Sequence, residues 1–384
     1  MADLGAYRNE FPILAHRTYL ISGSLGPLST RSRALAKEHL DLWSRLGPEE
    51  LWFDHGFPRL AECRAQFAAL IGADADEIAL VPSVSSGLSS ISSCLDFSGD
   101  RNGVVATALD FPTNHYVWRA QEPRGARLDV APTPDGIRVD AEEVVDRIDE
   151  RTRIVNVNRV LFESSWIMDL EPIVAAAHAH GAYVVVDDFH GTGVLPLDVH
   201  AIGIDFLVSG VLKWLCGGQG LAFLYCRRDL IEHMHPTVVG WFGTVDPFDF
   251  DRSELRLLPS ARRFETGTST LPQAWTAAGG MEIILEVGVE RIRSRTQELS
   301  QGVVDRALDG GLDVGSPVDR DRRGALVRVR VPGGRPAADK VLHALFERDV
   351  VFDQRGDALR ISPHFFNNDQ DLDEAFAALR SVLD

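Results

Sequence analysis

Residues 184–193 read VVVDDFHGTG. Three valines run directly into two adjacent aspartates, Asp187 and Asp188, followed by Phe189, His190 and a Gly-x-Gly turn. A short β-branched run of this kind predicts a strand buried on both faces, as in the middle of a parallel sheet. Carboxylates at the end of such a strand are costly to desolvate unless a cation meets them. Successive strand residues face opposite sides, so one cation cannot serve both aspartates equally.

The flanking chain repeats this pattern. EIALV (77–81), GVVATAL (103–109), ARLDVAP (126–132), TRIVNVN (152–158), AYVVVD (182–187) and DFLVSG (205–210) read as strands. RLAECRAQFAALIG, ending at Gly72, SSGLSSISSCL, and stretches near 114–121, 140–149 and 171–180 read as helices around them. LAFLYC (221–226) follows its predecessor so closely that an antiparallel partner is expected. The alternation predicts an α/β fold with a mostly parallel sheet covered by helices on both faces. After about residue 280 the rhythm changes: a long helix, roughly 272–308, leads to the strand-like RGALVRVRVPG, the helix PAADKVLHALFERD, the strand-like DALRIS and a closing helix. The expected division is an N-terminal segment (1–20) packed on a small domain, a large domain (21–270), and a small α+β domain (271–384).

Bulk properties narrow the function classes. A net charge of −17 argues against nucleic acid, which requires a basic face. No apolar run approaches the roughly 20 residues that span a bilayer, so no membrane segment is expected. The N-terminus shows neither a basic start nor an apolar h-region. Cys63, Cys94, Cys216 and Cys226 form no CxxC pair, which fits a reducing cytoplasm better than a zinc ribbon or redox dithiol.

In open α/β sheets ligands bind beyond the carboxyl ends of the strands. There the sequence places Ser83, Ser85 and Ser86, then Asp110 to His115, Asn158, Asp187 to His190, and Ser209 to Lys213. Lys213, between Leu212 and Trp214, should have a depressed pKa suited to Schiff-base chemistry. A lysine, an acid able to pair with a pyridinium and a serine-rich helix start able to hold a phosphate are the parts that pyridoxal phosphate requires.

The order of these pieces resembles the class V branch of fold-type I pyridoxal-phosphate enzymes, above all its kynureninase-like and isopenicillin-N-epimerase-like members. The resemblance runs from TYLISGSLGPLS (18–29) to ALRISPHFFNNDQDLD (358–373). It includes PSVSSGL (82–88), LDFPTNHY (109–116), VVVDDFHGTG, DFLVSGVLKWLCGGQG and RRFETGTSTLP (262–272). It implies the fold-type I transferase fold, with a mostly parallel sheet of the seven-stranded type and a smaller C-terminal α+β domain. It also implies an amino-acid substrate and a homodimer with the active site at the subunit interface.

Residue by residue, the resemblance makes Lys213 the lysine that carries the cofactor and moves the Cα proton. Asp187 becomes the partner of the pyridine nitrogen, His190 a neighbour of the ring and Phe111 its stacking partner. Val84, Ser85 and Ser86 fall to the phosphate, with Thr268 reaching it across a dimer interface and Trp241 near the cofactor. Arg360 falls to the substrate α-carboxylate, and Asp188 to a structural role. Leu212, Asn158–Arg159 and LISGSLG depart from the usual family pattern, which points to a specialised substrate.

The expected reaction is side-chain cleavage or elimination on an α-amino acid or its conjugate, of the kynureninase or C–S lyase kind. Decarboxylation or deamination on the same scaffold stays open. Asp353 and Arg355 match a kynureninase D-x-R, and His190 its D-x-x-H, although PSVSSGL lacks its L-T-x-N. ERDVVFDQRGDALRIS has no cysteine, which argues against persulfide-forming desulfuration. A class V aminotransferase is the alternative within the family. A metal-dependent hydrolase using Asp187, Asp188, His190 and His200, or the HAH at 178–180, is the alternative from another class. GGQG (217–220) follows a late strand, the wrong place for a dinucleotide site.

Overall fold

The computed structural model describes residues 4–383. Residues 1–3 of the expected N-terminal segment and residue 384 of the small domain lie outside the described residues. The strands in chain order are β1 (Thr18–Tyr19), β2 (Ile78–Val81), β3 (Gly103–Thr107), β4 (Arg127–Ala131), β5 (Thr152–Asn158), β6 (Tyr183–Asp187), β7 (Phe206–Gly210) and β8 (Ala222–Cys226). They continue as β9 (Val327–Arg330), β10 (Val350–Val351), β11 (Asp353–Arg355) and β12 (Ala358–Ile361). A seven-stranded sheet runs in the order β2-β8-β7-β6-β5-β3-β4, and β8 alone is antiparallel to its neighbours. The short β7–β8 connection enforces that reversal, because a parallel return needs a long crossover.

The sheet is filled from both sides, and the valine run shows how. Val184 and Val186 join the apolar cluster that includes Val155, Val157 and Leu207. Val185, between them, joins the opposite cluster with Ile154, Phe206 and Val208. Each fully buried valine contributes on the order of 2 kcal/mol of transfer free energy. A register slip of one residue would exchange the two faces, so the strand is held in phase. The same phase carries past the strand end: Phe189 packs on the Val185 side, which is also the side of Asp187.

A second sheet, β11-β12-β9, is antiparallel and has its own core, including Val327, Leu359, Ile361, Leu299 and Phe376. The expected single helix over 272–308 is two helices, Leu271–Val287 and Val289–Asp309. Gly288 separates them at φ 86°, a conformation that no right-handed helix admits. This break lets one helix lie on the large sheet while the next crosses to the small one.

The chain start is tied to the C-terminal elements. β1 pairs in parallel with β10, and the Arg8 guanidinium makes two bonds, of 2.7 and 2.8 Å, to Asp371. The segment then passes beside the lysine loop, where Gly26 N–H donates to the Leu212 carbonyl at 2.8 Å. A Cβ at Gly26 would lie 2.1 Å from the Lys213 carbonyl oxygen, so only glycine permits this crossing. Among the described residues no helix is long and apolar enough to cross a membrane.

Candidate active site

The carboxyl ends of β2, β3, β5, β6 and β7 open onto a cavity of about 280 Å³. Its walls hold Lys213, Asp187, His190, Phe111, Val84, Ser85, Asn158 and Arg360. Eight residues expected from the sequence therefore converge from segments far apart in the chain. Ser83, Ser24, Thr113, Phe189, Leu212 and Arg355 complete the lining.

Lys213 lies at the centre. Its Nζ is 2.8 Å from His190 Nε2 and 4.0 Å from the centre of the Phe189 ring. Burial pushes the lysine down to about 7, with the Asp187 carboxylate opposing and Arg360 and Arg355 reinforcing the fall. Burial, then Lys213 and the two arginines, hold His190 well below its ordinary value, so its imidazole is neutral. Desolvation raises Asp187, while the Phe189 N–H (3.0 Å) and the Asn114 side chain stabilise its charged form.

Asp188 takes the opposite face. It is fully buried and pairs with Arg159 through Nε (2.6 Å) and Nη2 (2.9 Å), and Thr192 Oγ1 donates to it at 2.6 Å. The remaining Arg159 donors reach the Leu195 and Pro196 carbonyls, both within 2.9 Å. The cationic character of Arg159 is thus neutralised behind the sheet and does not reach the cavity.

Asn158 and Phe111 belong to one small lattice. Asn158 Oδ1 accepts the Asn114 amide at 2.7 Å and the Phe111 N–H at 3.3 Å, while Asp110 accepts the Asn158 N–H at 3.2 Å. Asn114 thereby links the residue that positions Phe111 to the acid at the end of β6. Phe111 lies edge-on to Phe162 at 5.1 Å and keeps 38% of its surface exposed. Asn114 fell inside the Asp110–His115 stretch but received no role from the sequence, although it lies one helical turn beyond Phe111, where i,i+3 neighbours meet.

The helix Val84–Ser93 starts at the cavity, capped by Ser83, whose Oγ accepts the Ser86 N–H at 3.1 Å. Ser86 turns its hydroxyl to Ser83 at 2.9 Å and is absent from the lining. First-turn amides of Val84 and Ser85, with the Ser85 and Thr113 hydroxyls, leave an anion-binding corner. Thr268 and Trp241 lie elsewhere in this chain. Thr268 lines an apolar crevice with Trp52, Phe57 and Phe242, and Trp241 lines a separate, mixed one with Phe250, Asp251 and Arg256.

The residues considered for a metal diverge. His200 Nε2 meets Glu77 at 2.7 Å, His178 Nε2 meets Asp205 at 3.0 Å, and Asp188 holds Arg159. Among the described residues no group of three or more histidine, cysteine, aspartate or glutamate side chains is arranged to hold a metal.

A family model described as class-V aminotransferase matches residues 58–360. The chain belongs to that family. It is 30% identical over 369 residues to YcbU of Bacillus subtilis, named an uncharacterized aminotransferase, with 96% of this chain and 95% of the relative covered. A kynureninase of Geobacillus thermodenitrificans is 28% identical, over 93% of this chain and 86% of that one. Among solved structures, an apo cysteine desulfurase of Thermococcus onnurineus shares the fold with a TM-score of 0.88 at 22% identity, covering 100% of this chain and 98% of that one.

The class-V chain is thus a pyridoxal-phosphate-dependent enzyme of the fold-type I architecture. Its residues fit that group: a lysine poised to lose its proton near neutrality, a buried acid at the end of β6 in the same cavity, and first-turn amides for a phosphate. Arg360 Nε is buried with no hydrogen-bond partner, a donor left over for an acceptor that the protein does not supply.

Proposed function

We propose that this enzyme cleaves or eliminates a side-chain group from an α-amino acid or amino-acid conjugate. The 2.8 Å contact between Lys213 and a neutral His190 carries the reading. Transamination needs one base to move a proton from Cα. Cleavage or elimination needs a second proton at the departing group, and a neutral imidazole beside the lysine supplies a site for it.

The bound cofactor supplies the electron sink for negative charge at Cα. Asp187 pairs with the ring nitrogen, and the Phe189 N–H and Asn114 hold that carboxylate in place. Phe111 would stack on the ring, and Val84 and Ser85 would hold the phosphate. Lys213, which loses its proton as pH rises through about 7, takes the Cα proton at Nζ, and His190 Nε2 stands within hydrogen-bond reach of it at 2.8 Å. Arg360 receives the α-carboxylate and so fixes which bond at Cα is aligned for cleavage.

Similarity to kynureninases over nearly the whole chain supports this reading. The similarity to an uncharacterized aminotransferase keeps transamination as the second reading. Incubation of the loaded enzyme with candidate amino acids separates the two. Release of the side-chain fragment without a keto-acid acceptor is the expected result, together with pyruvate and ammonia for elimination or with alanine for cleavage. Stoichiometric conversion of the cofactor to its amine form, relieved only by a keto acid, would overturn it.

In the same reading the enzyme is a cytoplasmic homodimer. Thr268 serves the phosphate of the neighbouring subunit. The exposure of Trp43, Phe53 and Phe250, at 62, 51 and 69%, supports an apolar surface covered by a second copy. The four free cysteines are in keeping with a reducing compartment. Sedimentation at micromolar concentration tests the dimer: a monomer that still binds and turns over would refute it.

A further inference from the structure

The β11–β12 hairpin presents two arginines and one acid on a single face. Asp353 stands opposite Arg360 in the antiparallel register, and Arg355, two positions beyond Asp353, shares its face. Asp353 serves both arginines, at 3.0 Å to Arg360 Nη2 and 2.7 Å to Arg355 Nη1. It also accepts the Ser24 hydroxyl.

The two guanidiniums differ in what they have left. Arg360 is almost wholly buried, and its Nη atoms are used by Phe162 O (2.9 Å), Ser24 Oγ (2.8 Å), Gly23 O (3.4 Å) and Asp353. Only its Nε is unpartnered. Arg355 uses Nη1 alone, toward Asp353 and the Gln354 carbonyl (2.6 Å). Among the described residues no partner meets its Nε or Nη2, and its side chain lines the cavity with 42% of its surface exposed. That free edge has the fork geometry that pairs with a carboxylate.

The donors that remain point the same way. With the α-carboxylate taken up by Arg360, Arg355 still lines the cavity with Nε and Nη2 unpartnered among the described residues, a separate fork for a second carboxylate.

We propose that Arg355 is a specificity residue that receives a carboxylate on the substrate side chain, so that the preferred substrates are amino acids or conjugates with an acidic side-chain group. This rests on Arg360 taking the α-carboxylate.

The test uses two ligands with the same sulfur attachment, S-carboxymethylcysteine and its amide, S-carbamoylmethylcysteine. Apparent Kd is read from the change in absorption of the bound cofactor, and turnover from release of the thiol and pyruvate. The wild-type enzyme should bind the carboxylate ligand about 10- to 100-fold more tightly, the range expected for a charged hydrogen-bonded pair. Arg355→Gln should collapse that ratio toward one, with the loss falling on the carboxylate ligand, and Arg355→Lys should restore part of it. Equal binding of the two ligands by the wild type, which requires no variant to fold, would overturn the proposal. So would equal loss for both ligands in Arg355→Gln, or absence of binding by either. A preserved preference without thiol release from either ligand would support Arg355 and count against the lyase reading.

Discussion

Lys213 Nζ and His190 Nε2 stand 2.8 Å apart in a site where burial disfavours a charge on either. The lysine is the member that titrates near neutrality, and the imidazole stays uncharged throughout. The nucleophile is therefore an amine held in hydrogen-bond contact with a neutral imidazole, and the lysine alone sets the pH behaviour near neutrality.

Capture of pyridoxal phosphate by the apoenzyme should accelerate as pH rises through about 7 and level off above it. The sign follows from the lowered lysine: below 7 the ammonium cannot attack a carbonyl, and above 7 the free amine can. Because His190 is held well below its ordinary value, it adds no second limb near neutrality. Stopped-flow absorbance across pH 5.5–9 measures the profile. Lys213→Ala should lose the visible band of the lysine-bound cofactor.

The two aspartates should separate cleanly. Asp187→Ala should keep the fold and lose the reaction. Asp188→Ala leaves the Arg159 guanidinium buried without its partner and should cost about 3–5 kcal/mol of stability. Urea unfolding followed beside cofactor absorbance reads both. Equal stability of the two variants would contradict the assignment of Asp188 to Arg159.

Gly210 gives way to the Phe189 ring. A Cβ there would come within 2.8 Å of Phe189 Cζ, which in turn lies against Lys213. Gly210→Ala should cost about 1–3 kcal/mol through overpacking. Adding Phe189→Ala should return much of that loss. The double-mutant cycle detects the coupling, and strictly additive effects would refute it.

Gly26→Ala should displace the N-terminal segment from the lysine loop, because its Cβ meets the Lys213 carbonyl oxygen. The expected outcome is faster loss of the cofactor on dialysis, with a stability decrease of about 1–3 kcal/mol. Unchanged cofactor retention would show that this crossing does not support the site.

The local pattern of VVVDDFHGTG already contained the strand, its burial on both faces and the separation of Asp187 from Asp188, because strand periodicity is a property of neighbouring residues. The alternation of strands and helices carried the parallel sheet, and the short β7–β8 connection carried its one reversal. The break at Gly288 was not legible, since the helical pattern continues on both sides and only the divergence of the two sheets requires a positive φ. Nor could the chain alone say that Arg159 turns to Asp188, that Asn114 supports Asp187, or that Ser24, Asp353, Arg355 and Arg360 share one wall. Those relations join segments far apart along the chain. They depend on how two sheets and a crossing N-terminal segment are placed in space, and that is decided by the packing of the cores rather than by the spacing of residues in the chain.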